Sequence, residues 1–246
     1  MQSKEKIYGI NPVLEALKEG TSLNKVFIQK DMHNDRIKDI INLLKKQEIP
    51  FQFVPKEKLN RLTNKNHQGV VAMGSEVDFL SVENLLPQIF ESGETPFLLV
   101  LDGVTDVRNF GAIARSAECF GAHALVAPAS GSAMINAEAV KASAGALHKV
   151  HICRELNFQK AINTIKNSGL QMIACTEKSE KYIGEADLTL PTALVMGSEG
   201  FGIDENLLAQ CDVLTRIPMA GDIQSLNVSV AAGIALYEML RQRGNM

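Results

Sequence analysis

From Phe97 onward the sequence sets short, unbroken apolar runs at intervals that only helical crossovers fill: FLLVLDG (97–103), ALVAP (124–128), LQMIACT (170–176), ALVMG (193–197) and LTRIPM (214–219). A run without polar alternation has no wet face, so each such strand must be buried on both sides, as in a parallel sheet. Helical patterns at 111–120, 137–142, 158–167 and 205–210 lie between them. The alternation specifies an α/β fold with a mostly parallel sheet covered by helices on both faces. A closing helix is expected over about 226–243, with Ser225 as its cap and arginines in its last turn, where they suit the helix dipole.

The first part of the chain repeats the alternation on a smaller scale. Helices are expected at 12–19 and 36–47, strands at 25–28 and 50–54, and a last strand in VVAMGSEV after His67, Gln68 and Gly69. A length of 246 residues leaves room for one full domain and a smaller companion. The boundaries that follow are a small α/β domain over 1–78, a linker over 79–95 with one short helical pattern at 82–90, and a larger domain over 96–246.

Hydrophobic residues at 46% and charged residues at 22% exclude a disordered chain. No apolar run approaches the roughly 18 residues that a bilayer span needs, and MQSKEKIYGINP has no apolar signal core, so a soluble, cytoplasmic protein without membrane association is expected. Cys119, Cys153, Cys175 and Cys211 are widely spaced without a CxxC pair, which points to buried thiols and no metal site. The net charge of −3 is unevenly spread: residues 1–78 hold 13 Lys and Arg against 10 Asp and Glu, residues 79–246 hold 12 against 18. The N-terminal part is therefore the one to offer to a phosphate backbone.

In open parallel sheets ligands collect beyond the carboxyl ends of the strands, and three loops there have unusual composition. In LDGVTDVRNFGAIARSAECFG (101–121), Asn109 sits at a plausible N-cap, Gly111 allows close helix packing, and Arg115 falls a turn and a half further on. Either Asn109 only caps and Arg115 only pairs with a surface carboxylate, or both face a ligand. In VMGSEGFGIDENL (195–207), Gly197, Gly200 and Gly202 suit a backbone that comes close to a ligand, and Glu199 is either a solvated turn residue or an aimed carboxylate. The order GxxGxG is not the dinucleotide fingerprint GxGxxG, which argues against an NAD-linked oxidoreductase. In RIPMAGDIQSLNVSVAAG (216–233), Ser225, Asn227 and Ser229 place more small polar groups at a helix start than capping alone uses.

Together these segments resemble the SpoU/TrmH family of S-adenosylmethionine-dependent RNA ribose 2′-O-methyltransferases, within the SPOUT superfamily. The first motif is carried by Asn109, Gly111, Ala112, Arg115, Ser116 and Ala117, the second by VMGSEGFG, and the third by IPM-x-G followed by SLNVSVA. YGINPVLEAL and HQGVVA look like the N-terminal RNA-binding domain of the two-domain members, which is similar in fold to ribosomal protein L30e.

The resemblance implies a trefoil-knotted SPOUT domain beside a smaller L30e-like α/β domain, a homodimer in which the closing helix takes part, and RNA as partner. It implies S-adenosylmethionine as cofactor, held mainly by backbone groups of Gly197, Ile217, Met219 and Leu226 with Thr176 facing the same pocket. It places Arg115 at the reacting hydroxyl, with Glu199, Asn227 and Asn109 near the methyl-transfer centre and Ser229 in support. A guanidinium is effectively always protonated in proteins, so stabilising the developing alkoxide is the role preferred for Arg115 over that of a base. The proton then passes to another acceptor, water or a substrate phosphate. The two-domain arrangement implies a guanosine of 23S rRNA as target. The alternatives are a tRNA ribose and, from another class, a non-catalytic RNA-binding or ribosome-assembly protein, which the joint presence of Asn109, Arg115, Glu199 and Asn227 opposes.

Overall fold

A computed structural model describes residues 6–32, 34–198, 200–222 and 225–244. The chain divides into two compact units, one of residues 1–78 with 134–136, the other of 79–133 with 137–246.

The first unit runs β1 (Lys6–Tyr8), α1 (Ile10–Lys18), β2 (Leu23–Gln29), α2 (Asp35–Lys46), β3 (Phe51–Val54), α3 (Lys56–Leu62) and β4 (Val70–Gly74). Its strands lie in the order β1-β4-β2-β3. β4 is antiparallel to both neighbours and β3 is parallel to β2. Val13, Leu17, Ile37, Ile40 and Leu44 bring α1 and α2 onto one face, against Val26, Ile28, Val70 and Ala72. Leu59 of α3 covers the other face beside Phe27, Val54 and Val71. The buried Asn24 sits at a register shift in β2. Its amide donates to the Gly74 carbonyl (2.6 Å) and the Ile135 carbonyl (2.8 Å) and accepts from the Ile135 N–H (3.0 Å), so segment 134–136 belongs to this unit. A buried amide is tolerated when its groups are satisfied in this way.

The second unit continues with α4 (Val82–Glu91), β5 (Phe97–Leu101), α5 (Val107–Cys119), β6 (Ala124–Pro128), α6 (Ala137–Ala142), β7 (His151–Glu155), α7 (Phe158–Asn167), β8 (Gln171–Cys175), β9 (Thr192–Met196), α8 (Glu205–Leu208), β10 (Val213–Thr215) and α9 (Val228–Gln242). All six strands are parallel, in the order β10-β8-β9-β5-β6-β7. Leu98, Val100, Ala124, Val126, Met172, Ala174, Ala193 and Val195 line one face under α4 and α7. The alternate residues Leu99, Leu125, Ile173 and Leu194 are equally buried, as a sheet covered on both sides requires. Among the described residues no helix is long and apolar enough to cross a membrane.

Three expectations change. Residues 79–95 are not a free linker: Val82, Leu85, Leu86 and Ile89 of α4 are buried in the second unit, and Leu80 bridges to Cys153. The strand expected over 214–219 ends at Thr215, because the next residues pair with a neighbouring loop and Pro218 has no N–H to give a ladder. Cys119 is exposed, whereas burial pushes the Cys153 thiol up to about 12 and the Cys175 and Cys211 thiols up to about 11.

Candidate active site

From β5 the sheet grows one way to β6 and β7 and the other way to β9, β8 and β10, so the switch in direction falls between β5 and β9. Crevices form at the carboxyl ends of strands at such a point. The loops found there are the first two of the three singled out by composition. The Asp102 N–H donates to the Met196 carbonyl (2.8 Å), and the Asp102 carboxylate accepts from the Asp204 N–H (2.7 Å), tying one loop to the other.

The cap of α5 is Asp106, not Asn109. Its Oδ1 accepts from the N–H groups of Arg108 (2.8 Å) and Asn109 (2.9 Å), and these bonds, the one to Asn109 foremost, hold the carboxyl below the usual carboxylate range. Asn109 is thereby displaced into the first turn of the helix, and its side chain is released from capping. Likewise Asn227, not Ser225, caps α9: its Oδ1 accepts from Ser229 N–H (2.9 Å) and from Ser229 Oγ–H (2.6 Å). Its remaining Nδ2–H donates to Asn109 Oδ1 at 3.1 Å. The positive ends of two helices therefore meet through one amide pair, an arrangement that favours negative charge beside them.

Gly111 lets α5 pack closely on α6, since a Cβ there would stand 2.5 Å from the Ala139 carbonyl oxygen and 2.7 Å from the Ala142 Cβ. At the far end of α5 the ring of Phe120 packs edge-on against Tyr237 of α9. Arg115 lies on α5 about 9 Å along the axis from Asn109. It is exposed and forms no hydrogen bond or ion pair with a described residue.

The glycine-rich loop after β9 closes on itself: Ser198 and Gly202 exchange N–H to O bonds of 3.0 and 2.9 Å. A Cβ on Gly197 would fall 2.1 Å from the Gly202 carbonyl carbon, so only glycine fits. Phe201, at the tip, is 98% exposed. Glu199 lies outside the described residues. Thr176 is buried after β8, its N–H donating to the Thr215 carbonyl (2.7 Å). Beyond β10, Arg216 N–H donates to the Lys181 carbonyl (2.8 Å) and the Arg216 carbonyl accepts from Ile183 N–H (2.9 Å), which interlaces segments 176–183 and 213–216. Ile217 is half-buried, and Met219 and Leu226 expose apolar side chains on the loop that follows.

The structure thus brings Asn109, Asn227 and Ser229 into one hydrogen-bonded group. Sequence reasoning missed Asp106 and the Asp102 tie. An Asp three residues before Asn109 was the available signal for the first. No cluster of His, Cys, Asp or Glu that could hold a metal occurs among the described residues.

Residues 96–237 match the SpoU rRNA methylase family, and residues 6–79 match the family described as RNA 2′-O ribose methyltransferase substrate binding. The 23S rRNA (guanosine-2′-O-)-methyltransferase RlmB of Yersinia pestis is 38% identical over 242 residues, 98% of each chain. A solved TrmH/SpoU tRNA modifying enzyme of A. aeolicus is 34% identical, with a TM-score of 0.56 over 67% of this chain and 85% of that one. The SpoU methyltransferase AviRb of Streptomyces viridochromogenes shares the fold, with a TM-score of 0.63 over 98% of this chain and 90% of that one at 23% identity. The chain belongs to the SpoU rRNA methylase family.

Proposed function

We propose that the chain is an RNA methyltransferase that moves a methyl group from S-adenosylmethionine to a ribose 2′-hydroxyl, with a guanosine of 23S rRNA as the target. The observation that carries the reading is the hydrogen bond between Asn227 and Asn109, which joins two family motifs from opposite ends of the domain beside the switch point of the sheet. The rRNA target rests on the likeness to RlmB, which spans both units.

The donor set fits such a cofactor. Exposed Met219 and Leu226 offer apolar surface to a flat ring, and the backbone of Gly197 and Ile217 and the hydroxyl of Thr176 offer polar groups to its edges. When bound, the cofactor supplies an electrophilic methyl on a sulfonium. The ribose oxygen would accept that methyl, the demethylated thioether would leave, and the hydroxyl proton would pass to water or a substrate phosphate. Arg115 stabilises the negative charge that develops on that oxygen. Asn109 and Asn227, fixed by each other and by Ser229, position the ribose or its phosphate, and Glu199 orients Arg115 or a water. The interlacing of 176–183 with 213–216 supports a knotted path for this segment.

We also propose a homodimer through α9. Val230, Ile234 and Tyr237 recur on one stripe of the helix at 50%, 38% and 47% exposure, more apolar surface than a solvated helix presents. Ile234→Asp should give a monomer by sedimentation; an unchanged mass would exclude this face.

Labelled methyl transfer to purified 23S rRNA and to tRNA tests the target. Label in the 23S rRNA supports the reading, and label confined to tRNA replaces it with the activity that the A. aeolicus relative's description suggests.

A further inference from the structure

The mechanism leaves one stretch of chain unused: residues 134–136, in the connection between β6 and α6, belong to the first unit. Asn24 holds them there. Its side chain donates to the Ile135 carbonyl (2.8 Å), accepts from the Ile135 N–H (3.0 Å) and donates to the Gly74 carbonyl (2.6 Å). β2 shifts register between Leu23 and Lys25, an irregularity of the kind that re-aims a side chain. Asn24 and Ile135 are each 1% exposed, so water does not compete for these bonds.

On either side of that segment the chain is fastened within the second unit. Ala133 N–H donates to the Val104 carbonyl (2.9 Å), in the loop that leads into α5. Ala137 begins α6, which lies so close to α5 that a Cβ on Gly111 would stand 2.5 Å from the Ala139 carbonyl oxygen. Glu138, the second residue of α6, pairs with Arg108 in the first turn of α5 at 2.8 Å. Ile135 is two residues from Ala133 and two from Ala137, and two residues of chain reach at most about 7 Å. A connection so short absorbs little displacement. Whatever moves Ile135 therefore pulls on Ala133 and on α6, and both bear on the start of α5, where Asn109 lies and from which Arg115 follows.

We propose that Asn24 is a positioning residue for the reaction: through Ile135 it sets where the 101–106 loop and α6 hold the start of α5, and so where Asn109 and Arg115 stand. The reaction is the methyl transfer of the reading above, on which this rests; the tether is a property of the fold. Groups at a reacting centre must be held closely, and a misplacement of about 1 Å passed on from a distant residue can cost about 100-fold in rate. The residues offered to the cofactor, Thr176, Gly197, Ile217, Met219 and Leu226, lie on other loops. Loss of Asn24 is therefore felt in kcat and not in cofactor affinity.

Asn24→Ala tests this in the full chain, beside two companions. In a lengthened chain, two glycines inserted after Ala133 and two after Ile135 keep the Asn24 bonds but add about 7 Å of reach on each side. Val26→Ala weakens the same strand at a buried residue packed with α1 and α2. Asn24→Ala and the lengthened chain should each lower kcat by about 10- to 100-fold, with S-adenosylmethionine affinity by calorimetry within about twofold of the parent. Both should speed hydrogen exchange of amides 104–112 and leave those of 193–197 as protected as before. Val26→Ala should keep the parent's kcat and its protection at 104–112. If Asn24→Ala does not fold, the lengthened chain decides alone. The proposal falls if either folded variant keeps the parent's kcat or its exchange at 104–112, or if Val26→Ala loses as much rate. A parent chain that transfers no methyl, with exchange at 104–112 raised in both variants, upholds the tether and removes the enzymatic reading. Methyl transfer by the parent, with rate and exchange unchanged in both variants, does the reverse.

Discussion

The second unit is built on six parallel strands and the first on four of mixed direction, and this difference decides where each can gather polar groups. In the all-parallel sheet every strand is buried on both faces and every connection crosses over, so side chains capable of chemistry are driven to the loops at the carboxyl ends. Asn109, Asn227 and the 197–204 loop collect there. In the first unit the antiparallel β4 is entered through a tight turn, and that turn, with the end of α3, gathers amides and lysines around a cavity. One unit gathers an amide pair at the starts of two helices, the other amides and lysines around a cavity. Ligand chemistry here follows strand direction as much as residue type.

The largest effect expected from breaking this division is at Arg115. Arg115→Ala should lower methyl transfer by about 100- to 1,000-fold, the loss typical of one charge-stabilising donor, with cofactor binding by calorimetry unchanged. Equal losses in both would reassign Arg115 to holding the cofactor.

Next comes a pair of glycines, one from each unit. An added Cβ at Gly197 meets backbone at 2.1 Å, whereas at Gly69 it meets the flexible Met32 Sδ at 1.9 Å. Gly197→Ala should cost about 3 kcal/mol, at the upper end of overpacking, and loosen cofactor binding. Gly69→Ala should cost only about 1–2 kcal/mol, from its left-handed backbone, since Met32 can swing aside. Chemical denaturation reads both; the reverse order would show that the glycine loop yields and the turn does not.

Asn109→Ala should reduce kcat by roughly tenfold, about 1.4 kcal/mol, while stability by thermal melting changes little, because Asp106 and not Asn109 caps the helix. A loss of stability without a loss of rate would make the amide pair merely structural.

The smallest effect is at Asp106 itself. Its carboxyl is held below its usual range by the N–H groups of Asn109 and Arg108, so its contribution to stability is present above about pH 4 and fades as the pH falls through the lowered value. Between pH 5 and pH 2.5, Asp106→Asn should lose less stability than the parent in paired melting curves; parallel curves would remove the cap from the account.

Much of the second unit was legible in the sequence. β6, α6 and α7 fall where expected, because their boundaries coincide with clear changes in apolar period. The edge strand β7 was not, since HICRE carries the charges that edge strands tolerate. Nor were β1, only three residues long, and α3, whose KEKLNRL pattern shows too little apolar surface to announce a helix. At the candidate site, residue types and spacing single out Asn109, Asn227 and Ser229, but not that they bond to one another. Asn109 and Ser225 were read as caps because both are good capping residues; the true caps, Asp106 and Asn227, differ by register alone, which tertiary contact decides. Asn24 was invisible because its partner, Ile135, is 111 positions away.

The most direct measurement is the chemical identity of the product. After incubation with S-adenosylmethionine and unmodified 23S rRNA, complete nuclease digestion and mass spectrometry should find one 2′-O-methylated guanosine per molecule, with the added mass on the sugar fragment. A methyl carried on the base fragment, or no added methyl, would contradict the account.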